Sequence, residues 1–231
     1  MTEIRPLAAD DTIRQALDDH AQAQLDALTA EVAEDPSRLG RTFPAAARKT
    51  GRGPLAGADD VLLEDAVRVS LVQTAAQSLA PEALLAELRE VYRYGDNDEK
   101  RAVLHALSGA PDDVDGTDLL LDALRTNDTR LVAAAMGPHS DRLDDDSWRQ
   151  GVLKCLFTGV PVASVTGLAR RADRELAEMV QRYQREREAA GRDVPLDVQV
   201  VLDACAVSPE HDPEHDPEHD PEHVQHQQKD S

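Results

Sequence analysis

Aromatic residues make up only 3% of this 231-residue chain, and it holds two cysteines. The first scarcity means that a core has to be assembled from Leu, Val and Ala. That suits helices, because Ala and Leu stand at the top of the helix-propensity order. The second excludes a disulfide framework; Cys155 and Cys205 lie in apolar helical contexts and read as small buried hydrophobes. Long apolar runs are missing too. The least polar long stretch, GVLKCLFTGVPVASVTGL, contains Lys154 and Pro161, which rules out a membrane span. MTEIRPLAADD at the start lacks the basic and apolar regions of a secretory signal, so the expected location is the cytoplasm, with no membrane embedding. Positive charge is in deficit: Lys and Arg total 25 against 45 Asp and Glu, and the net charge is −20. That balance argues against nucleic acid and against anionic membrane surfaces as partners.

Catalytic signatures are absent as well. No Ser-His-Asp order, G-x-S-x-G or H-E-x-x-H motif occurs. His20, His105 and His139 are scattered, with no Cys or His at ligand spacing, and no cofactor is indicated.

What the sequence does hold is helical periodicity from end to end, with no convincing alternating β pattern. Ile13, Leu17, Ala21, Leu25, Leu28 and Val32 fall at steps of three and four and predict a first amphipathic helix ending near Asp35-Pro36. A second is expected from about 60 to 79. Pro81 suits the first turn of a third, striped by Leu84, Leu85, Leu88 and Val91. Shorter helices follow over about 97–109, 117–125, 128–136, 145–160, 173–190 and 195–206, broken by clusters such as GAPDDVDGT. The expected fold is all-α, an irregular array of about eight or nine helices in which the short ones pair as HEAT-like hairpins. Residues 1–207 are expected to form one domain and residues 208–231 a disordered tail.

Two segments differ from the rest. Residues 36–57 carry Arg38, Arg41, Arg48, Lys49 and Arg52 with no acid among them, and are expected to be a basic loop. The tail repeats PEHD; residues 209–231 hold eight acids and one lysine, −7 of the total, leaving −13 on residues 1–208. His211, His215, His219 and His223 recur every four residues, but a proline in each repeat forbids the helix that would align them. These four are weak metal candidates, and none is expected in the domain. A disordered, solvated acidic chain is the favoured reading.

Among possible sites, YRYGDNDEKRAVLHAL at 92–107 raises the question of a ligand-binding Asp cluster. Asp96 fits an N-cap and Glu99 completes a D-x-x-E capping box, while Gly95 suits a preceding C-terminal turn at positive φ. An EF-hand reading fails for want of its ligand ladder. The helix-start reading is favoured, with Tyr92, Tyr94 and Arg101 kept as rim residues of a groove. In 144–161, Ser147 or an adjacent Asp caps the helix with Gln150 as the S-x-x-Q partner. Trp148, Val152, Cys155 and Leu156, extended by Leu153, Phe157 and Val160, make it apolar over more than half its circumference. Lys154 on the remaining strip reads as a snorkelling or paired lysine before a catalytic amine. Arg48, Lys49 and Arg52 around RKTGRGPL form the leading candidate for an anion contact, although the segment is no nucleotide P-loop.

YRYGDNDEKRAVLHAL, DALRTND and WRQGVLKCLFTGVPVASVTGLARRADRELAEMVQRYQREREAAGRDVP resemble, in order and spacing, the EboA-domain proteins, over roughly residues 36–200. The most specific match is a W/N-x-Q-x-V-L-K-A-x-F-x-G-x-P pattern, met here by Trp148, Gln150, Val152, Leu153, Lys154, Phe157, Gly159 and Pro161. MGPHSDRLDDD replaces the family's N-P-Y-x-x-x-H-F segment, keeping Pro138-His139. The resemblance implies a metabolite-traffic protein encoded beside a UbiA-like membrane prenyltransferase and other enzymes of one gene cluster, with no reaction assigned.

The leading expectation is therefore a non-enzymatic adaptor or carrier for a small secondary metabolite or its precursor, working with proteins of that cluster. The ligand-binding candidates are Arg48, Lys49, Arg52, Tyr94, Asp96, Arg101, Trp148 and Lys154. The alternatives are an accessory enzyme acting on phosphorylated sugars or prenyl diphosphates, through Lys154 or Asp96-Asn97-Asp98 and Asp144-Asp145-Asp146 with a divalent metal, or a structural subunit with a metal-buffering tail.

Overall fold

Aspartates set where many of the helices begin. Five helices start behind an Asp whose carboxylate accepts a first-turn N–H: Asp18, Asp96, Asp128, Asp144 and Asp173. Each satisfies a donor that the helix leaves open, and each adds negative charge at the positive end of the dipole.

The computed structural model describes residues 2–207. Twelve α-helices occupy them: α1 (Asp10–Gln15), α2 (Asp19–Glu34), α3 (Leu39–Thr50), α4 (Leu63–Ala76), α5 (Pro81–Tyr94), α6 (Asn97–Ser108), α7 (Thr117–Arg125), α8 (Thr129–Ala135), α9 (Asp145–Thr158), α10 (Leu168–Arg171), α11 (Arg174–Ala189) and α12 (Asp197–Val207). Three short 3-10 turns join some of them, and no strand occurs among the described residues. The fold is all-α. The PEHD repeats, with His211, His215, His219 and His223, lie outside the described residues.

The helix count exceeds the expected eight or nine for three local reasons. The long first helix is two, because Asp18 adopts an extended conformation and caps α2 anew. Leu168–Arg171 adds one turn. The third reason is a correction to the reading of 36–57 as a loop. Much of that segment is α3, which buries Leu39, Thr42, Phe43, Ala46 and Ala47. Its composition of Pro, Gly and cations obscured a helical stripe. Pro44 is tolerated inside the helix because it and Gly40, whose carbonyl loses its N–H partner, both lie on the exposed side. Only 51–62 is a true loop.

α4 is the centre of the N-terminal layers. Every residue from Leu63 to Val69 is buried, and the helix packs against α2, α3 and α6. The consecutive pairs α5–α6 and α7–α8 also pack together, and α9 joins that group to α11, against which α12 packs. One cluster of buried apolar side chains runs from Ile4 to Cys205. The consequence that matters for function is that α4 buries Glu64, Asp65 and Arg68 along with its Val and Leu. Charge that deep requires partners.

A buried Arg–Asp cluster beside an apolar cavity

The partners come from α6. Arg101 is 5% exposed and Asp65 2%. Arg101 Nε donates to Asp65 Oδ2 at 2.7 Å, and Nη2 donates to Oδ1 at 3.1 Å, a two-pronged pair. Arg101 Nη1 reaches Asp98 Oδ1 at 3.0 Å. Asp98 also takes Arg52 Nη1 at 2.8 Å and Arg130 Nη1 at 2.7 Å. Burial pushes the Asp98 carboxyl upward, but the Arg52 hydrogen bond and the charges of Arg101 and Arg130 prevail and hold it below the usual carboxylate range. Arg130 in turn pairs with Asp128, which its side chain holds well below that range.

This network floors a cavity of about 830 Å³ between α4, α6, α8 and the loop 51–62. Much of the wall is apolar, with Pro6, Leu7, Ala58, Val61, Leu62, Ala133 and Ala134 among its residues. Asp65, Arg101 and His105 line the buried end. His105 follows Arg101 by four residues on the same face of α6, and its Nε2 lies 4.0 Å from Asp65 Oδ2. Burial lowers the His105 pKa, with the Asp65 charge opposing.

The remaining wall is an extended N-terminal strap. Thr2 N–H donates to Ala76 O at 3.1 Å, Gln73 Nε2 to Ile4 O at 2.9 Å, and Arg5 N–H to Gly109 O at 2.8 Å. Ile4 plugs into the core. These anchors bring Arg5, Pro6 and Leu7 to the cavity.

The capping box expected at α6 is present in both directions, Glu99 N–H to Asp96 at 2.9 Å and Asp96 N–H to Glu99 at 3.1 Å. Gly95 departs from expectation: its φ is −76°, so no left-handed turn requires glycine. The close approach of Glu99 requires it instead. A Cβ there would lie 2.7 Å from Val91 O and 2.8 Å from Glu99 Cβ. At α9 the cap is Asp144 and not Ser147, whose N–H it accepts at 2.7 Å, and Gln150 takes no part. Phe157 is 67% exposed, so the apolar arc of α9 is narrower than the helical wheel suggested.

The eight candidate residues do not converge. Arg101 lines the cavity, Arg52 supports it through Asp98, and Asp96 serves as the cap of α6. Arg48 and Lys49 lie in the last turn of α3, outside the cavity wall. Tyr94 is 74% exposed, with Arg93 over its ring. Trp148 is wholly buried, its Nε1 donating to Thr166 O at 3.1 Å and its ring covered by Arg171. Lys154 donates to Asn127 at 2.7 Å beside a separate hollow of about 400 Å³. The glycine loop does seat an anion, but one of the chain's own: Gly53 N–H donates to Glu64 Oε2 at 2.9 Å.

Asp144, Asp145 and Asp146 are engaged by Ser147, Arg171 and Arg149 at the start of α9. No group of three or more metal-ligating side chains forms among the described residues. None of the described helices is long and apolar enough to cross a membrane. Burial pushes the Cys155 thiol up to about 12 and the Cys205 thiol to about 11, far from a reactive thiolate.

Asp65, His105, Arg130 and Arg5 escaped the sequence reading. The i, i+4 spacing of Arg101 and His105 was the one available signal.

Fold and site together define an all-helical protein organised around an apolar cavity with a charged floor. The chain belongs to the EboA family, whose sequence model, described as metabolite traffic protein EboA, matches residues 58–203. Arg5, Pro6, Leu7 and Pro54 of the cavity wall lie outside the matched span. No curated protein and no solved structure matches the chain.

Proposed function

We propose that the protein is a non-enzymatic carrier that holds a small secondary metabolite, or its precursor, in the cavity between α4, α6 and α8. One observation carries the reading. A space of about 830 Å³, mostly apolar, ends on the Asp65–Arg101 pair with His105 beside it, which is the composition of a small-molecule site. Apolar walls supply affinity, and a few fixed polar groups set orientation. The carboxylates that a diphosphate-and-metal mechanism would use are engaged as helix caps or by arginines, which favours carriage over turnover. The family description fits a traffic role. The resemblance of the sequence supplies the partners: proteins of one gene cluster, a UbiA-like membrane prenyltransferase among them, that load or receive the cargo.

The test is mass spectrometry of small molecules retained by the protein from its native host, compared with an Ala133→Phe variant. Ala133 lines the cavity and is half-buried, so the ring would occupy ligand space. A species retained by the wild type and lost from the folded variant is expected. Equal retention by both would place the cargo elsewhere.

A further inference from the structure

We infer that the cavity takes an amphipathic acid, a molecule with an apolar body and one oxyanion head, and that Arg5 is its headgroup contact. The inference deepens the carrier reading and rests on it.

Three arginines line the space, Arg5, Arg101 and Arg130, against two carboxylates, Asp60 and Asp65. Among the lining residues the arginines outnumber the carboxylates by one, in a chain whose net charge is −20. The three arginines are differently committed. Arg101 is held by Asp65 and Asp98, and Arg130 by Asp98 and Asp128. Arg5, exposed at the mouth of the cavity, makes one side-chain bond, Nη2 to Ser108 O at 3.2 Å, and among the described residues no carboxylate lies within 4.0 Å of it. A guanidinium has only donors, so what it recognises must accept. Of the carboxylates, Asp65 already accepts two bonds from Arg101. Asp60 is exposed on the loop, in a left-handed conformation at φ 58°.

Apolar wall residues from the strap, the loop and α8 surround these donors, so the remainder of the ligand has to be apolar. A carboxylate and a phosphate share this chemistry, and both match a guanidinium fork.

The test uses two fluorescent probes that differ by one charged group, anilinonaphthalene sulfonate and neutral N-phenylnaphthylamine. Saturable sulfonate binding is expected, with the neutral probe weaker by about tenfold, the loss of one charge-assisted bond. Arg5→Gln should weaken the sulfonate by a similar factor and leave the neutral probe unchanged. Arg130→Gln serves as a second variant, and Arg185→Gln, on α11 away from the cavity, as a control. Thermal melts establish that each variant folds. Displacement by decanoate against decyl phosphate then distinguishes the two headgroups. Equal binding of both probes, insensitive to Arg5→Gln, would overturn the acid inference while leaving a carrier cavity. Binding of neither probe would overturn both.

Discussion

Arg68 offers a prediction that runs against intuition. Its side chain is fully buried, with Nε donating to Phe43 O at 3.3 Å and the guanidinium over the Phe43 ring at 5.6 Å. Neither Nη has a hydrogen-bond partner, and the nearest carboxylate oxygen, Glu99 Oε1, is 3.8 Å away. Attraction across that gap is worth about 4 kcal/mol at an effective dielectric near ~20. Against it stand a desolvation cost of several kcal/mol per ion and about 1–3 kcal/mol for each donor left without a partner. Replacing a buried pair of this kind by apolar groups of similar volume is typically neutral or stabilising, by up to about 4 kcal/mol. The clean perturbation is Arg68→Met with Glu99→Gln, since glutamine preserves the capping box of α6. A gain of about 2 kcal/mol would raise Tm by roughly 4–8 °C for a chain of this size. Urea and thermal unfolding followed by circular dichroism measure it. Arg68→Met alone should gain less, because Glu99 loses its cation. A double variant less stable than wild type would refute the reasoning, since the guanidinium would then return more than its burial costs.

Three further outcomes follow from the same geometry. Gly95→Ala should cost about 2 kcal/mol, because the new methyl meets the rigid Val91 carbonyl and displaces Glu99 from the cap; urea midpoints would register it, and an unchanged midpoint would show that the approach relaxes freely. Asp65→Asn should cost about 3 kcal/mol by breaking the two-pronged pair that holds buried Arg101 and leaving it Asp98 as its partner, a loss that the urea midpoint would register. His139 is buried, and desolvation, aided by Arg142, lowers its pKa from 6.5 to about 4. The folded state resists a proton that the unfolded chain accepts, so stability is unaffected above pH 6.5, declines below it, and levels off near pH 4. The loss approaches about 3 kcal/mol, and His139→Gln should flatten that part of the Tm profile.

Periodic apolar positions and punctuating residues made most helices legible in the sequence, and α6 and α7 fall almost where the pattern placed them. The Asp96 capping box was readable because its signal is confined to four residues. α3 was hidden by composition: glycine, proline and five cations described a loop, while Leu39, Phe43 and Ala46 carried the helix. The site was less legible, for a physical reason. Asp65 and Arg101 meet across 36 residues of chain, and Arg5 reaches the end of α6 across 103. Nothing local distinguishes a first-turn Asp that caps a dipole from one that becomes the floor of a cavity. Trp148 sat in the most specific family pattern, and its position there has a packing reason, the seam between α9 and the 166–171 segment.

The strap across α4 and α6 has a thermodynamic corollary. One wall of the cavity is held by a few backbone bonds, each worth about 1 kcal/mol net, and by the burial of Ile4, worth about 2–3 kcal/mol. Peeling it away therefore demands far less than melting the bundle, and this wall can open while every helix stays formed. The latch is a single isoleucine buried in the core, so trimming Ile4 to alanine should loosen this wall without altering any residue that lines the cavity.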